Sequence, residues 1–106
     1  MTGFKEIEAD DLHKLMANQP IKLVDVRNDD EVARGVIPGA VHLPLAMLPV
    51  RHDSLHGDET LVFYCHSGIR SAQAAAFLAS KGRENVFNLI GGVLAWGKAG
   101  FPFERI

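Results

Sequence analysis

The sequence predicts an α/β fold: one domain over residues 1–106, with a mostly parallel five-stranded sheet and helices on both faces. Three observations carry this expectation. Strand-like and helix-like segments alternate along the chain, which implies right-handed crossovers between parallel strands. The strand candidates read as short apolar runs, the pattern of strands buried on both sides. At 106 residues the chain is long enough for one layered core and too short for two. No internal repeat or low-complexity segment interrupts the pattern.

Phe4 to Glu8 alternates apolar and polar residues, as a short half-buried strand does. Ala9 to Gln19 reads as a helix, with Asp10 as its N-cap and Leu12, Leu15 and Met16 on one face. His13 is one position from that stripe and is expected at the rim. Pro20 ends the helix, and Ile21 to Val26 follows as a central strand. Asp25 lies inside this apolar run and needs a donor, because an unpaired buried carboxylate is costly; Arg27 or a nearby backbone N–H can supply one. Asp25, Arg27 and Glu31 therefore read as bracing a loop rather than performing chemistry.

Asn28 to Arg34 predicts one helical turn stopped by Gly35, and Ile37 to Ala40 a turn. Val41 to Leu43 is a short strand closed by Pro44, with His42 expected on the other side of the sheet and not as a catalytic base. Leu45 to Val50 has an apolar face broken by Pro49, and Arg51 to Thr60 reads as a loose surface loop. His52 and His56 stand four apart near Asp53 and Asp58, but Gly57 and the polar surroundings favour a loop over a metal site. Leu61 to Tyr64 is a buried strand, and Ser71 to Lys81 an alanine-rich helix stopped by Gly82. Glu84 to Ile90 is a further strand. After Gly91 and Gly92, Val93 to Lys98 forms a last helix with Trp96 as a core anchor, and Phe101 to Phe103 lies as a tail on the body.

The lone cysteine, Cys65, falls between a strand and a helix. A tight turn there aims backbone N–H groups at whatever the first loop residue carries, and a thiol so placed ionises easily. Cysteines at helix N-termini titrate at about 3.5–7.5 against about 8.5 when free. The same amides favour an anion attached to the sulfur. Gly68 permits positive φ in a loop that must curl around one atom, and Arg70 closes it with a fixed charge. A single buried cysteine is most often a small core hydrophobe, but Cys-x-x-Gly-x-Arg-Ser between strand and helix points to a cradle for a thiolate. Asp25 to Arg27, Cys65 and Gly91-Gly92 all fall at carboxyl ends of strands, where sites form in such sheets.

Composition narrows the function classes. A net charge of −2, with Lys and Arg scattered, gives no electrostatic footprint for nucleic acid or an anionic membrane. No apolar run approaches the length of a membrane span, and none follows Met1, so a cytoplasmic location is expected. One cysteine rules out an internal disulfide, a Cys-x-x-Cys redox pair and a multi-cysteine zinc site.

These residues resemble a single-domain rhodanese, a sulfurtransferase of the thiosulfate sulfurtransferase family, over nearly the whole chain. Leu23 to Arg27 with Glu31 is similar to the family's leading strand motif, and Gly35 to Ala40 with Leu43-Pro44 to its next signature. Cys65 to Arg70 is similar to the active-site loop, and Gly91-Gly92 with Trp96 to the closing motif. The resemblance implies that the Cys65 thiolate takes the outer sulfur of a donor such as thiosulfate and forms a persulfide. A thiophilic acceptor (cyanide, a thiol or a protein) then removes that sulfur. By the same resemblance Cys65 is catalytic, His66, Ser67, Gly68, Ile69 and Arg70 bind substrate, and Asp25, Arg27 and Ser71 support the loop. No cofactor or metal is implied; a sulfur-accepting protein or a thioredoxin-like reductant is among the implied partners.

Two positions depart from the pattern. Val36 stands where the family often has histidine, and His66 where many members carry arginine. Two other readings are compatible with a cysteine loop. One is a phosphatase or arsenate reductase, although Cys65 to Arg70 is Cys-x4-Arg rather than the phosphatase Cys-x5-Arg and makes a smaller cradle. The other is a sulfur-relay module that accepts persulfide from a partner protein.

Overall fold

The computed structural model describes residues 3–105; residues 1, 2 and 106 of the expected domain lie outside them. Five strands, β1 (Lys5–Ile7), β2 (Ile21–Asp25), β3 (Val41–His42), β4 (Thr60–Tyr64) and β5 (Val86–Leu89), form one sheet in the order β1-β5-β4-β2-β3. Every neighbouring pair is parallel. The helices are α1 (Ala9–Asn18), α2 (Asp29–Val32), α3 (Leu48–Arg51), α4 (Ile69–Ser80) and α5 (Gly92–Lys98). The expected α/β architecture is present.

β4 is central because it is apolar in both directions. Leu61, Phe63 and Cys65 join one core cluster with Ala74, Ala75 and Leu78 of α4, while Val62 and Tyr64 join a second with Leu12 of α1 and Trp96 of α5. The two-residue period of a strand makes that division. Fully burying such an apolar side chain contributes about 1.5–3 kcal/mol, so a one-residue slip that exchanged the faces would be costly and the register is firmly set.

α1 starts at Ala9 as expected, but its N-cap lies two residues before Asp10. Glu8 is the N-cap, with no side-chain cap, and Asp10 and Asp11 sit in the first turn, where carboxylates complement the positive helix end. Leu12 is fully buried and Leu15 and Met16 partly so, as the apolar stripe requires. His13 is exposed and stacks on the Phe101 ring at 4.0 Å.

The largest departure from expectation lies in residues 51–60. After a 3-10 turn at Leu45–Met47 and then α3, the expected loose loop instead makes a second 3-10 turn at His52–Leu55. Leu48 and Leu55 are buried, and Arg83 pins the end of the segment by donating to the carbonyls of Leu55 and Glu59. Pro49 falls in the first turn of α3, where its missing N–H costs nothing. Polar composition gave no warning because the pinning donor comes from a segment far along the chain.

Candidate active site

Cys65 directly follows β4 and is 1% exposed. Because all strands run in parallel, the carboxyl ends of β2, β4 and β5 share one edge of the sheet, and the segments after each of them meet around this residue. The N-cap of α4 is Gly68, at φ 105°, which has no side chain to satisfy the first helical N–H groups. The sulfur takes that role: Gly68 N–H donates to Cys65 Sγ at 3.1 Å and Ser71 N–H at 3.4 Å, with Ser71 Oγ at 3.3 Å. Burial pushes the thiol up, but hydrogen bonds from the Ser71 side chain and from the N–H groups of Ser71, Gly68 and Ser67 outweigh it, so Cys65 titrates below an ordinary thiol. The expected cradle of amides is thus present, with Gly68 and Ser71 N–H at 3.1 and 3.4 Å from the sulfur and Ser67 N–H adding to them.

The loop is held from behind by α5. Val93 N–H donates to Cys65 C=O at 2.9 Å and Leu94 N–H to His66 C=O at 3.3 Å, which turns these carbonyls away from the sulfur. That approach requires Gly92, at φ 53°: a Cβ there would overlap the Cys65 carbonyl oxygen and lie 2.6 Å from that of His66.

Behind the sulfur is a polar chain. Ser71 is fully buried, and its hydroxyl donates to Asn88 Oδ1; Asn88 Nδ2 donates to Gly68 C=O at 3.2 Å and to Glu6 Oε2 at 3.0 Å. Sequence reasoning gave neither Asn88 nor Glu6 a place at the site. A buried asparagine within an apolar strand is the signal that pointed to it, since such a group needs partners.

Asp25 and Arg27 are buried and pair with each other. Arg27 donates from its backbone N–H, Nε and Nη2 to the Asp25 carboxylate at 2.8–3.0 Å, and from Nη2 to Gly35 C=O at 2.7 Å. Arg27 thus ties the end of β2 to the turn after α2. His42 Nε2 lies 2.7 Å from Arg27 C=O and is engaged in the same brace. Val36 is buried and bridges Glu104 through paired backbone hydrogen bonds.

In front of the loop, Arg27, Glu31, Arg34, His66, Ser67, Arg70 and Val93 line a cavity of about 420 Å³. Arg70 is not free to act alone there: Nη1 and Nη2 donate to Glu31 Oε1 and Oε2 at 2.7 and 2.8 Å. Hydrogen bonding from Arg70 holds the Glu31 carboxyl down to about 2, helped by Asn28 N–H, and Glu31 in turn raises Arg70. His66, Ser67 and Ile69 are exposed. Arg34, also exposed, has no carboxylate partner among the described residues, and sequence reasoning passed over it as part of the α2 turn. His52 and His56 lie away from this site, in a cavity with Arg83 and Asn85, where His52 packs edge-on against Phe77.

Residues 8–99 match the family described as Rhodanese-like domain. The chain belongs to the rhodanese family. It is 41% identical over 98 residues to a sulfurtransferase of Allochromatium vinosum, an alignment spanning 92% of each chain. It is 33% identical over 102 residues to the thiosulfate sulfurtransferase GlpE of Actinobacillus succinogenes, covering 96% of this chain and 92% of that one. Its fold superposes on the crystal structure of a rhodanese-like domain protein from Staphylococcus aureus with a TM-score of 0.85, at 36% identity and covering 97% and 99% of the two chains.

In this rhodanese the cavity in front of the loop is lined by charged and polar side chains of both signs, Arg27, Arg34 and Arg70 with Glu31, beside His66 and Ser67. Among the described residues no three His, Cys, Asp or Glu side chains group as metal ligands, and no helix is long and apolar enough to cross a membrane.

Proposed function

We propose that this rhodanese moves sulfane sulfur from a donor such as thiosulfate to a thiophilic acceptor through a persulfide on Cys65. The Cys65 thiolate attacks the outer sulfur of thiosulfate; the new S–S bond forms as the bond to the sulfonate sulfur breaks, and sulfite leaves with that electron pair. A nucleophile (cyanide, a thiol or an acceptor protein) then attacks the outer sulfur and releases the Cys65 thiolate. The observation that carries this reading is the buried Sγ facing the Gly68 and Ser71 N–H groups, a setting that favours negative charge on sulfur.

In this reading His66, Ser67, Gly68, Ile69 and Arg70 form the substrate-binding loop, while Asp25, Arg27 and Ser71 support it. No cofactor or metal takes part, and the work is that of a single domain over 1–106 in the cytoplasm. A relay role, with persulfide delivered by a partner protein, is the second reading. It is favoured by the engagement of Arg70 with Glu31, which leaves less free charge for a dianionic donor.

Steady-state assays with thiosulfate and cyanide, run beside a phosphate ester, separate the readings. Thiocyanate and sulfite formation without phosphate release is the expected result. Phosphate release would overturn the proposal in favour of a phosphatase, and sulfur uptake only from a protein persulfide would favour the relay.

A further inference from the structure

The orientation of the Asn88 side chain is dictated by its surroundings. Its Nδ2 faces two acceptors, Glu6 Oε2 at 3.0 Å and Gly68 C=O at 3.2 Å, which an amide oxygen could not approach. Oδ1 therefore faces Ser71 Oγ, and since an amide oxygen only accepts, the one hydroxyl proton of Ser71 is directed at Asn88. Ser71 then presents only lone pairs to Cys65 Sγ at 3.3 Å, so the resting contact is Sγ–H donating to Oγ. A thiolate reverses the requirement, because it can only accept.

We propose that Asn88 is a positioning residue that holds the Ser71 hydroxyl as a two-position donor, aimed at Asn88 while Cys65 is a thiol and at Sγ when it is a thiolate. When the thiol proton leaves to solvent, the hydroxyl turns about its Cβ–Oγ bond; the Oγ–H···Oδ1 bond breaks and Oγ–H···Sγ forms. Asn88 thus competes with the thiolate for one proton and keeps the resting sulfur protonated to a higher pH than an unopposed Ser71 hydroxyl would set. A less ionised resting thiol is less open to oxidation. Glu6 acts through Asn88 by fixing its amide.

The charged and titratable groups around Cys65 are Glu6 from β1 behind Asn88, Arg70 from α4, Asp25 and Tyr64 from the strand ends, and Arg27, Glu31, Arg34 and His66 at the mouth. None of them takes the Ser71 proton in this arrangement; Asn88 does. The proposal builds on Cys65 as the nucleophile, yet its test titrates the thiol itself and needs no sulfur donor. Its failure is therefore distinguishable from failure of the sulfurtransferase reading.

The test is the pH dependence of thiolate absorbance in wild type, Asn88→Ala, Ser71→Ala and the double variant, with melting temperatures measured alongside. Asn88→Ala is expected to lower the titration midpoint by about one unit, the scale of one hydrogen bond redirected to a charged acceptor. Ser71→Ala is expected to raise it, and Asn88→Ala should have no further effect in the Ser71→Ala background. An unchanged or raised midpoint in Asn88→Ala, or an equal shift with and without Ser71, overturns the proposal. Should Asn88→Ala fail to fold, infrared spectroscopy of the wild-type thiol decides: an S–H stretch lowered by donation supports the proposal, and one at the frequency of a free thiol contradicts it.

Discussion

Glu31 and Arg70, 39 residues apart in sequence, meet in a two-pronged ion pair at the mouth of the Cys65 pocket, with N···O distances of 2.7 and 2.8 Å. The pair ties α2 to the first turn of α4 and gives the cysteine loop a fixed outer wall. It also means that the charge expected to close the loop is already matched by a carboxylate. Arg70 therefore shapes the pocket through its bond to Glu31.

This pair makes a prediction about acid. The Glu31 carboxyl lies at about 2, below the roughly 4.3 of an unfolded glutamate, so its contribution to stability is complete above about pH 4.3 and is lost as the pH falls through about 2. Both side chains are partly exposed, so the loss is small, on the order of 1 kcal/mol or less. Carboxyl NMR should give a Glu31 midpoint near 2 in the wild type, and one in the ordinary carboxylate range in Arg70→Ala. A midpoint unmoved by Arg70→Ala would show that the pair does not form in solution.

At the mouth, the side chains left to face a dianionic donor are Arg34 and His66. Arginine is charged at every working pH, so His66→Arg is expected to lower the KM for thiosulfate several-fold at pH 8, whereas Arg34→Ala should raise it. Both residues are exposed, so melting temperatures should stay nearly constant. Unchanged kinetics in both variants would argue that donor charge is not read at this mouth, as a protein-fed relay would have it.

Gly92 carries a structural prediction. An alanine there combines a left-handed backbone, costing about 1–2 kcal/mol, with a Cβ pressed on the Cys65 and His66 carbonyls. Gly92→Ala should lower the melting temperature by roughly 4–8 °C or more and reduce sulfur transfer per folded molecule by distorting the loop. Gly82→Ala is a control for positive φ alone, since nothing lies within 4 Å of a Cβ at that position. Equal effects of the two substitutions would contradict the role assigned to Gly92.

What the sequence made legible follows the range of the forces involved. The apolar run of β4 and the stripe on α1 depend on neighbouring residues, and both are present as expected. Cys65, Gly68 and Ser71 lie close together in sequence where the loop enters α4, so the sulfur cradle was readable from spacing. Contacts closed by a distant side chain were not readable. Arg83 orders residues 51–60 from far along the chain, Glu31 engages Arg70, and Glu6, 82 residues from Asn88, fixes the amide behind Cys65. Each depends on which polar side chains the parallel sheet brings to one end, and composition does not encode that.

The proposed sulfur transfer depends on the sulfur of Cys65. Wild-type protein treated with thiosulfate and examined by mass spectrometry should carry one added sulfur on the peptide containing Cys65, removed by cyanide, while Cys65→Ser should fold normally, carry none and transfer none, because a serine alkoxide is inaccessible at neutral pH. No adduct in the wild type, or substantial transfer by Cys65→Ser, would contradict it.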